Sequence, residues 1–366
     1  MNFIIDREHL LAPLQHIVNV IEKRQTMPIL ANLLMVIKDE QLVLTGTDLE
    51  IQIVVRIKLD NMTAGTVTVP ARKLLDICRL LPSTAQIKFT LQDDKLKINS
   101  GRSRFSLSTL PADDYPKFDE DTFSYQFKIR ADRFKKALDK TVFCMANQDV
   151  RYYLNGLMIN ISNDQMKLVA SDGHRLAVYD DSIEQQTGYE TRIIIPRKGI
   201  LELNRLLDDP EADLTIQFSD NNIRICINNL IFSAKLIDAK YPDFSKVFQQ
   251  SFYPQIEIQK KTFKDALTRV SILANEKFKG IAFDINSDSL RISTHNPDRE
   301  EAEEELLIDY PGEDISIAFN AQYFLDAVSN LDSELAIITI AENSSCCFIE
   351  DPNDERFKFI VMPMLL

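Results

Sequence analysis

The sequence has no tryptophan, nine glycines, four histidines and five cysteines in 366 residues, and each scarcity excludes something. The cysteines (Cys78, Cys144, Cys226, Cys346 and Cys347) are odd in number and lack paired spacing, which argues against a disulfide framework or a zinc ribbon. In a strand, adjacent Cys346 and Cys347 would point to opposite faces and make a poor metal pair. The glycines form neither the dinucleotide-binding fingerprint nor the P-loop pattern, so no nucleotide cofactor site has support. No histidine pair has helical spacing, and no cofactor or metal is expected. The longest apolar run, Phe359–Leu366, falls far short of the roughly 18 residues a bilayer span needs. The first residues carry Asp6, Arg7, Glu8 and His9, which predicts no signal peptide and a cytoplasmic location.

What is present is an ordinary soluble composition, 45% hydrophobic and 27% charged, with a net charge of −13. The length exceeds one typical core, so two or three domains are expected.

The chain repeats itself three times. Thr66–Leu81, Arg192–Leu207 and Ile315–Leu331 each read as a short β-rich run, a breaker (Pro70, Pro196, Asn320) and an amphipathic helix. Further helix candidates lie around Leu10, Phe134 and Phe263. Phe105-Ser-Leu matches Phe232-Ser-Ala and, more weakly, Phe357-Lys-Phe; Tyr115-Pro116 and Tyr241-Pro242 close the first two repeats. Alternating strands follow each second helix: 87–91 with 96–98, 214–218 with 223–227, and 335–340 with 347–349. Strands joined by hairpins predict antiparallel sheet and an α+β class, with domains at 1–124, 125–253 and 254–366.

Charge is unevenly spread. The six helix windows hold sixteen basic residues against eight acidic ones, on a chain that is otherwise strongly acidic. A basic helical surface facing a polyanion fits this, and so do ordinary solvated helix faces. Residues 95–104 carry Lys95, Lys97, Arg102 and Arg104 with no acid, while 298–305 carry Asp298, Glu300, Glu301, Glu303, Glu304 and Glu305 against Arg299. Opposite patches in the first and third repeats suit head-to-tail association; a solvated acidic loop is the plainer reading. Asp172 and His174 superficially suggest a catalytic pair, but they share a tight turn with no nucleophile, and no enzyme activity is expected.

Six segments carry a resemblance to a known family: Thr45–Glu50, Ser100–Pro111, Gln148–Gly156, Ser171–Ala177, Asn275–Gly280 and Val361–Met364. Together they resemble the bacterial DNA polymerase III beta subunit, the β sliding clamp family, over essentially the whole chain. The resemblance implies three clamp-type domains, each with two helices packed on antiparallel sheet, and a homodimeric ring closed head to tail around duplex DNA. It implies a processivity factor for DNA replication that tethers the polymerase III holoenzyme without catalysing chemistry or reading sequence.

The family's sites map residue by residue. Its subunit interface would use Phe105 and Leu107 against Ile272 and Leu273, flanked by Lys73, Lys95, Arg102 and Arg104 against Asp298, Glu300, Glu301, Glu303 and Glu304. Phe105 and Leu107 also fit one buried strand face. DNA contacts fall on Arg24, Arg72, Gln148, Tyr152, Tyr153, Arg197 and Lys198; the two tyrosines equally fit one core and one surface position. The partner pocket matches Leu154, Ser171, Gly173, His174, Arg175, Leu176, Pro242, Lys246, Val247, Ile360, Met362, Pro363 and Met364. It would bind linear peptides, presenting leucine and phenylalanine, from the polymerase III alpha subunit, the clamp loader delta subunit, other DNA polymerases, and repair or initiation-control proteins. Ser171, Lys246 and Leu365 depart from the residues usual in the family, which bears on the ranking of those partners. A structural scaffold that never meets DNA is the competing reading.

Overall fold

The computed structural model describes residues 1–21, 27–118, 122–183, 188–249 and 251–365. One order of elements occurs three times along it. The first run is β1 (Asn2–Asp6), α1 (Arg7–Val20), β2 (Asn32–Lys38), β3 (Gln41–Thr47), β4 (Ile51–Lys58), β5 (Gly65–Pro70), α2 (Ala71–Leu80), β6 (Gln86–Gln92), β7 (Lys95–Ser100) and β8 (Ser103–Ser108). The second is β9 (Tyr125–Arg130), α3 (Ala131–Asp139), β10 (Gly156–Ser162), β11 (Gln165–Ser171), β12 (Arg175–Ser182), β13 (Glu190–Pro196), α4 (Arg197–Leu206), β14 (Asp213–Phe218), β15 (Asn222–Ile227) and β16 (Leu230–Lys235). The third is β17 (Ile256–Gln259), α5 (Lys260–Val270), β18 (Gly280–Ile285), β19 (Ser289–His295), β20 (Glu301–Leu307), β21 (Ile315–Asn320), α6 (Ala321–Ser329), β22 (Leu335–Ile340), β23 (Cys347–Asp351) and β24 (Asp354–Val361).

The three breakers keep one structural place. Pro70, Pro196 and Asn320 end the strands before α2, α4 and α6, and pair with Asn32, Gly156 and Gly280 respectively. Asn320 caps α6 by accepting the Gln322 N–H at 2.9 Å. Helix α2 buries Ala71, Leu74, Leu75 and Cys78, the i, i+3, i+4, i+7 stripe of an amphipathic helix, and leaves Lys73 and Arg79 exposed. Each leucine so buried stabilises the fold by about 1.5–3 kcal/mol. Aromatic packing fills the cores: Phe3 stacks on Phe89 at 4.7 Å in the first repeat, and Phe263, Phe283 and Phe324 meet edge-on at 5.0–6.1 Å in the third. No described helix is long and apolar enough to cross a membrane.

The described residues form two compact units, Met1–Phe134 with Lys198–Ile237, and Lys135–Arg197 with the chain from Asp238 onward. The first holds a sheet ordered β5-β2-β3-β4-β16-β15-β14-β9 and a sheet ordered β1-β6-β7-β8. The second holds β13-β10-β11-β12-β24-β23-β22-β17 and β20-β19-β18-β21. The units differ from the sequence repeats because each long sheet joins two repeats: β4 pairs with β16, and β12 with β24. All of these pairings are antiparallel.

One sequence match shifts by two residues. Phe105 pairs with Ile98 and Phe232 with Ile225, and the same place in the third repeat is taken by Phe359, opposite Ile349. The register slips between Glu350 and Asp351, so Phe357 is not the equivalent residue.

Candidate functional site

A cleft of about 230 Å³ opens in the second unit. Its floor is the β12–β24 pair, where Leu176 lies opposite Ile360. One rim is the turn between β11 and β12. There Ser171 Oγ donates to the Arg175 carbonyl at 2.7 Å and accepts the Gly173 N–H at 3.0 Å, while Asp172 Oδ1 accepts the N–H groups of His174 and Arg175 at 2.9 and 3.1 Å. Gly173 sits at φ +90°, and a Cβ there would come within 2.5 Å of the Arg151 guanidinium. The opposite rim is Tyr241, Pro242, Phe244 and Val247. Met362 leaves the sheet beside it, its N–H donating to the His174 carbonyl at 2.8 Å.

Two arginines fix the rim. Arg175 donates to Asp172 at 2.9 Å, Asp326 at 2.5 Å and the Phe143 carbonyl at 2.7 Å, with its guanidinium 4.5 Å from the Tyr323 ring centre. Arg151 grips Asp149 through two hydrogen bonds of 3.0 and 2.9 Å and reaches the Asp172 carbonyl at 3.0 Å. The hydrogen bonds from Arg151 hold the Asp149 carboxyl down to about 2. Burial pushes the Tyr241 phenol up, so it stays neutral. The cleft is thus an apolar trough with a neutralised polar rim, suited to leucine and phenylalanine side chains on an extended peptide.

Models of the DNA polymerase III beta subunit match the chain in three consecutive stretches: the N-terminal domain over residues 1–119, the central domain over 128–243 and the C-terminal domain over 245–365. The beta sliding clamps of Pseudomonas putida and Escherichia coli are each 41% identical to it, with all of both chains covered. The crystal structure of a sliding clamp from Pseudomonas aeruginosa bound to griselimycin superposes with a TM-score of 0.97 at 39% identity, again over all of both chains. The beta sliding clamp of Caulobacter crescentus superposes at 0.94 with 31% identity over the full chains.

The chain belongs to the DNA polymerase III beta subunit family. Its three domains are clamp domains, with helices packed on antiparallel sheet, and it is a sliding clamp with a cleft for partners.

Of the thirteen pocket positions expected from the sequence, the clamp's cleft gathers nine: Leu154, Ser171, Gly173, Arg175, Leu176, Pro242, Val247, Ile360 and Met362. His174 and Lys246 are exposed outside its lining, Pro363 is half-buried beyond it, and Met364 lines a different cleft. Sequence reasoning missed Arg151, Tyr153, Tyr241, Asp243 and Phe244. The recurrence of Tyr-Pro-x-Phe at 115 and 241 was the signal for three of these five, Tyr241, Asp243 and Phe244.

The expected DNA-contacting residues are differently placed. Arg24 lies outside the described residues. Gln148 and Tyr152 are exposed on the loop before β10, whereas Tyr153 forms part of the cleft wall. Arg72 is half-buried and donates to the Ile21 carbonyl at 2.8 Å, and Arg197 donates to the Met145 carbonyl at 2.8 Å. Lys198 is ion-paired with Asp48. Much of the basic excess of the helix windows is answered nearby: Lys136 and Lys140 pair with Asp332, Arg205 with Glu202 and Arg269 with Glu304.

The interface residues fall on two sheet edges. Strand β8 ends one sheet and β20 ends another. On β8, Phe105 is 36% exposed but Leu107 only 8%, so Leu107 already belongs to its own core. Arg102 and Arg104 are exposed on or next to β8, as are Lys95 on β7 and Lys73 on α2. Beside β20, Ile272 is 74% exposed and Leu273 half-buried. Asp298, Glu300, Glu301 and Glu303 are exposed, while Glu304 is half-buried and bound to Arg269.

Proposed function

We propose that two copies of this clamp close head to tail into a ring around duplex DNA, through three domains per chain at 1–124, 125–253 and 254–366. One observation carries this reading. In the repeat, β16 and β24 are the equivalents of β8, and β4 and β12 are the equivalents of β20. Both available pairs are made, β16 with β4 and β24 with β12, whereas β8 and β20 end their sheets. Pairing β8 of one copy with β20 of another continues the rule and leaves neither edge open. Carrying the register over from Phe232 opposite Ile53 and Phe359 opposite Ala177 puts Phe105 opposite Ala302 and Arg104 opposite Glu303 of the second copy. Exposed Phe105 and Ile272 then supply the apolar centre and the opposite charges a rim.

The ring tethers the replicative polymerase and catalyses nothing. Gln148, Tyr152, Arg24, Arg72 and Arg197 approach the DNA backbone, weakly and without reading bases, so the ring slides. The cleft takes linear peptides of the polymerase III alpha subunit, the clamp loader delta subunit and other polymerases, repair and initiation-control proteins. Cytoplasmic residence accords with this role.

The test is topological. The protein is loaded with a clamp loader and ATP onto nicked circular plasmid, gel-filtered in high salt, and half the sample is then cut once. Co-elution with circles and loss from linear DNA is the expected result. Equal retention on both means that direct contact holds the protein, and the sliding reading fails.

A further inference from the structure

The threefold repeat provides three versions of one cleft. Register makes Asn32, Gly156 and Gly280 equivalent, likewise Thr45, Val169 and Ser293, and likewise Thr47, Ser171 and His295. In the first repeat Tyr115 is buried at this place, its hydroxyl donating to the carbonyls of Asn32 at 3.4 Å and Thr45 at 3.2 Å. Pro116, Lys117 and Phe118 then line what remains, about 150 Å³. In the second repeat Tyr241 is buried beside Ser171, and Pro242, Asp243 and Phe244 line the cleft already described. Both covering segments read Tyr-Pro-x-Phe with aspartate shortly before the tyrosine: Asp113 and Asp114 in one, Asp238 in the other.

The third repeat has the receiving side of this arrangement. Gly280, Ser293 and His295 line an open cleft of about 440 Å³ whose other wall is Phe278, Met364 and Leu365. Among the described residues no Tyr-Pro-x-Phe segment lies in it. We propose that this cleft is a second docking site, which takes a linear peptide of another protein carrying Tyr-Pro-x-Phe behind an acidic flank.

The occupant is read from the two sibling clefts, where the same sheet positions enclose that same pattern. Phe278 is 54% exposed and Leu365 is exposed, so apolar surface awaits an aromatic side chain. On the Phe278 side the rim is basic, with Lys277 over the Phe278 ring at 5.2 Å and Lys279 exposed nearby. On the other side Asn296 donates to Glu300 at 2.7 Å, so an acidic flank matches the lysine side alone. Proline stiffens the ligand and lowers the ordering cost. This cleft and the one floored by Leu176 and Ile360 share no lining residue.

The probe is a labelled peptide with the chain's own sequence 112–118, Ala-Asp-Asp-Tyr-Pro-Lys-Phe, titrated by fluorescence anisotropy into the full-length protein. Saturable binding is expected, weakened about fivefold or more in Phe278→Ala and lost in Ala282→Trp, which fills the cleft. Phe278 is exposed, so its truncation spares the fold, and circular dichroism checks both variants. A peptide with alanine for tyrosine and proline is expected not to bind. An unlabelled leucine- and phenylalanine-bearing peptide, whose own binding at the first cleft is titrated separately, is expected not to compete. Absence of saturable binding by the wild type, binding unchanged in both variants, or displacement by the first-cleft peptide would overturn the proposal. Failure of the first-cleft peptide to bind in its own titration would count against the partner-cleft reading instead.

Discussion

The Lys198 ammonium lies 2.5 Å from a carboxylate oxygen of Asp48, and the Asp48 side chain is almost wholly buried. The other oxygen of Asp48 accepts the N–H groups of Glu50 and Ile51 at 2.9 and 2.7 Å, closing the turn that leads into β4. Lys198 is therefore partly committed to the fold. Replacing it with methionine leaves a buried carboxylate without its cation, at an expected cost of about 1–3 kcal/mol in urea unfolding. The double variant Lys198→Met with Asp48→Asn should recover much of that loss. A Lys198→Met protein as stable as the wild type would show that the pair carries no weight.

Gly173 is required by two constraints at once, its left-handed backbone and the Arg151 guanidinium beside it. In Gly173→Ala the turn relaxes or Arg151 moves, with about 1–2 kcal/mol of backbone strain. Because Arg151 also holds the Asp172 carbonyl, the rim of the cleft shifts with it. The expected readout is weaker binding of a leucine- and phenylalanine-bearing peptide by isothermal titration, together with a lower melting temperature. Unchanged affinity would place the rim outside the recognition surface.

The two sheet edges give a charge test. Arg104→Glu should weaken the dimer, and Glu303→Arg in the same chain should restore it, because the inferred register sets these residues opposite each other. Glu303 also lies 3.5 Å from Arg291 of its own chain, so the coupling expected is modest, about 0.2–1 kcal/mol per pair. Reversing Glu301, Glu303 and Glu304 to lysine should weaken association more at low salt than at high, because screening removes the Coulomb attraction. Sedimentation equilibrium at two salt concentrations decides it; equal dimer constants for wild type and variants at both would refute the register.

The repeat and the fold class were legible in the sequence because breakers and hairpins recur at fixed intervals: Pro70, Pro196 and Asn320 hold one place in the register. The slip at Glu350 and Asp351 was not legible, since a register irregularity changes spacing without changing the alternating pattern that marks a strand. Nine of the positions expected from motif resemblance line one cleft, most of them at the β11–β12 turn and the end of β24. Phe244 and Arg151 were missed for different reasons. Phe244 belongs to a connecting segment whose role emerges only when the sheet beneath it exists. Arg151 acts through the backbone carbonyl of Asp172, twenty-one residues away. Leu107 looked equivalent to Phe105 by alternation, yet Phe105 keeps far more accessible area.

The last expectation concerns acid. Asp354 opens β24 almost wholly buried, accepts from Arg356 at 2.7 and 2.8 Å and pairs with Lys136 at 2.8 Å. Burial alone would raise its pKa, but hydrogen bonds from Arg356 and Lys136 outweigh that and hold the carboxyl well below the usual carboxylate range. Asp332, bound to Lys136 and Lys140, is lowered in the same direction, again against the opposing effect of burial. A carboxyl whose folded pKa lies below its unfolded value near roughly 4 contributes stability that is complete above that value and lost as pH falls toward the folded one. The clamp should therefore lose stability progressively as pH drops below about 5. Asp354→Asn should be less stable at neutral pH by about 1–3 kcal/mol and show a shallower decline in acid. Urea midpoints measured across the acid range test both halves, and a decline as steep in Asp354→Asn as in the wild type would assign the acid sensitivity to other carboxylates.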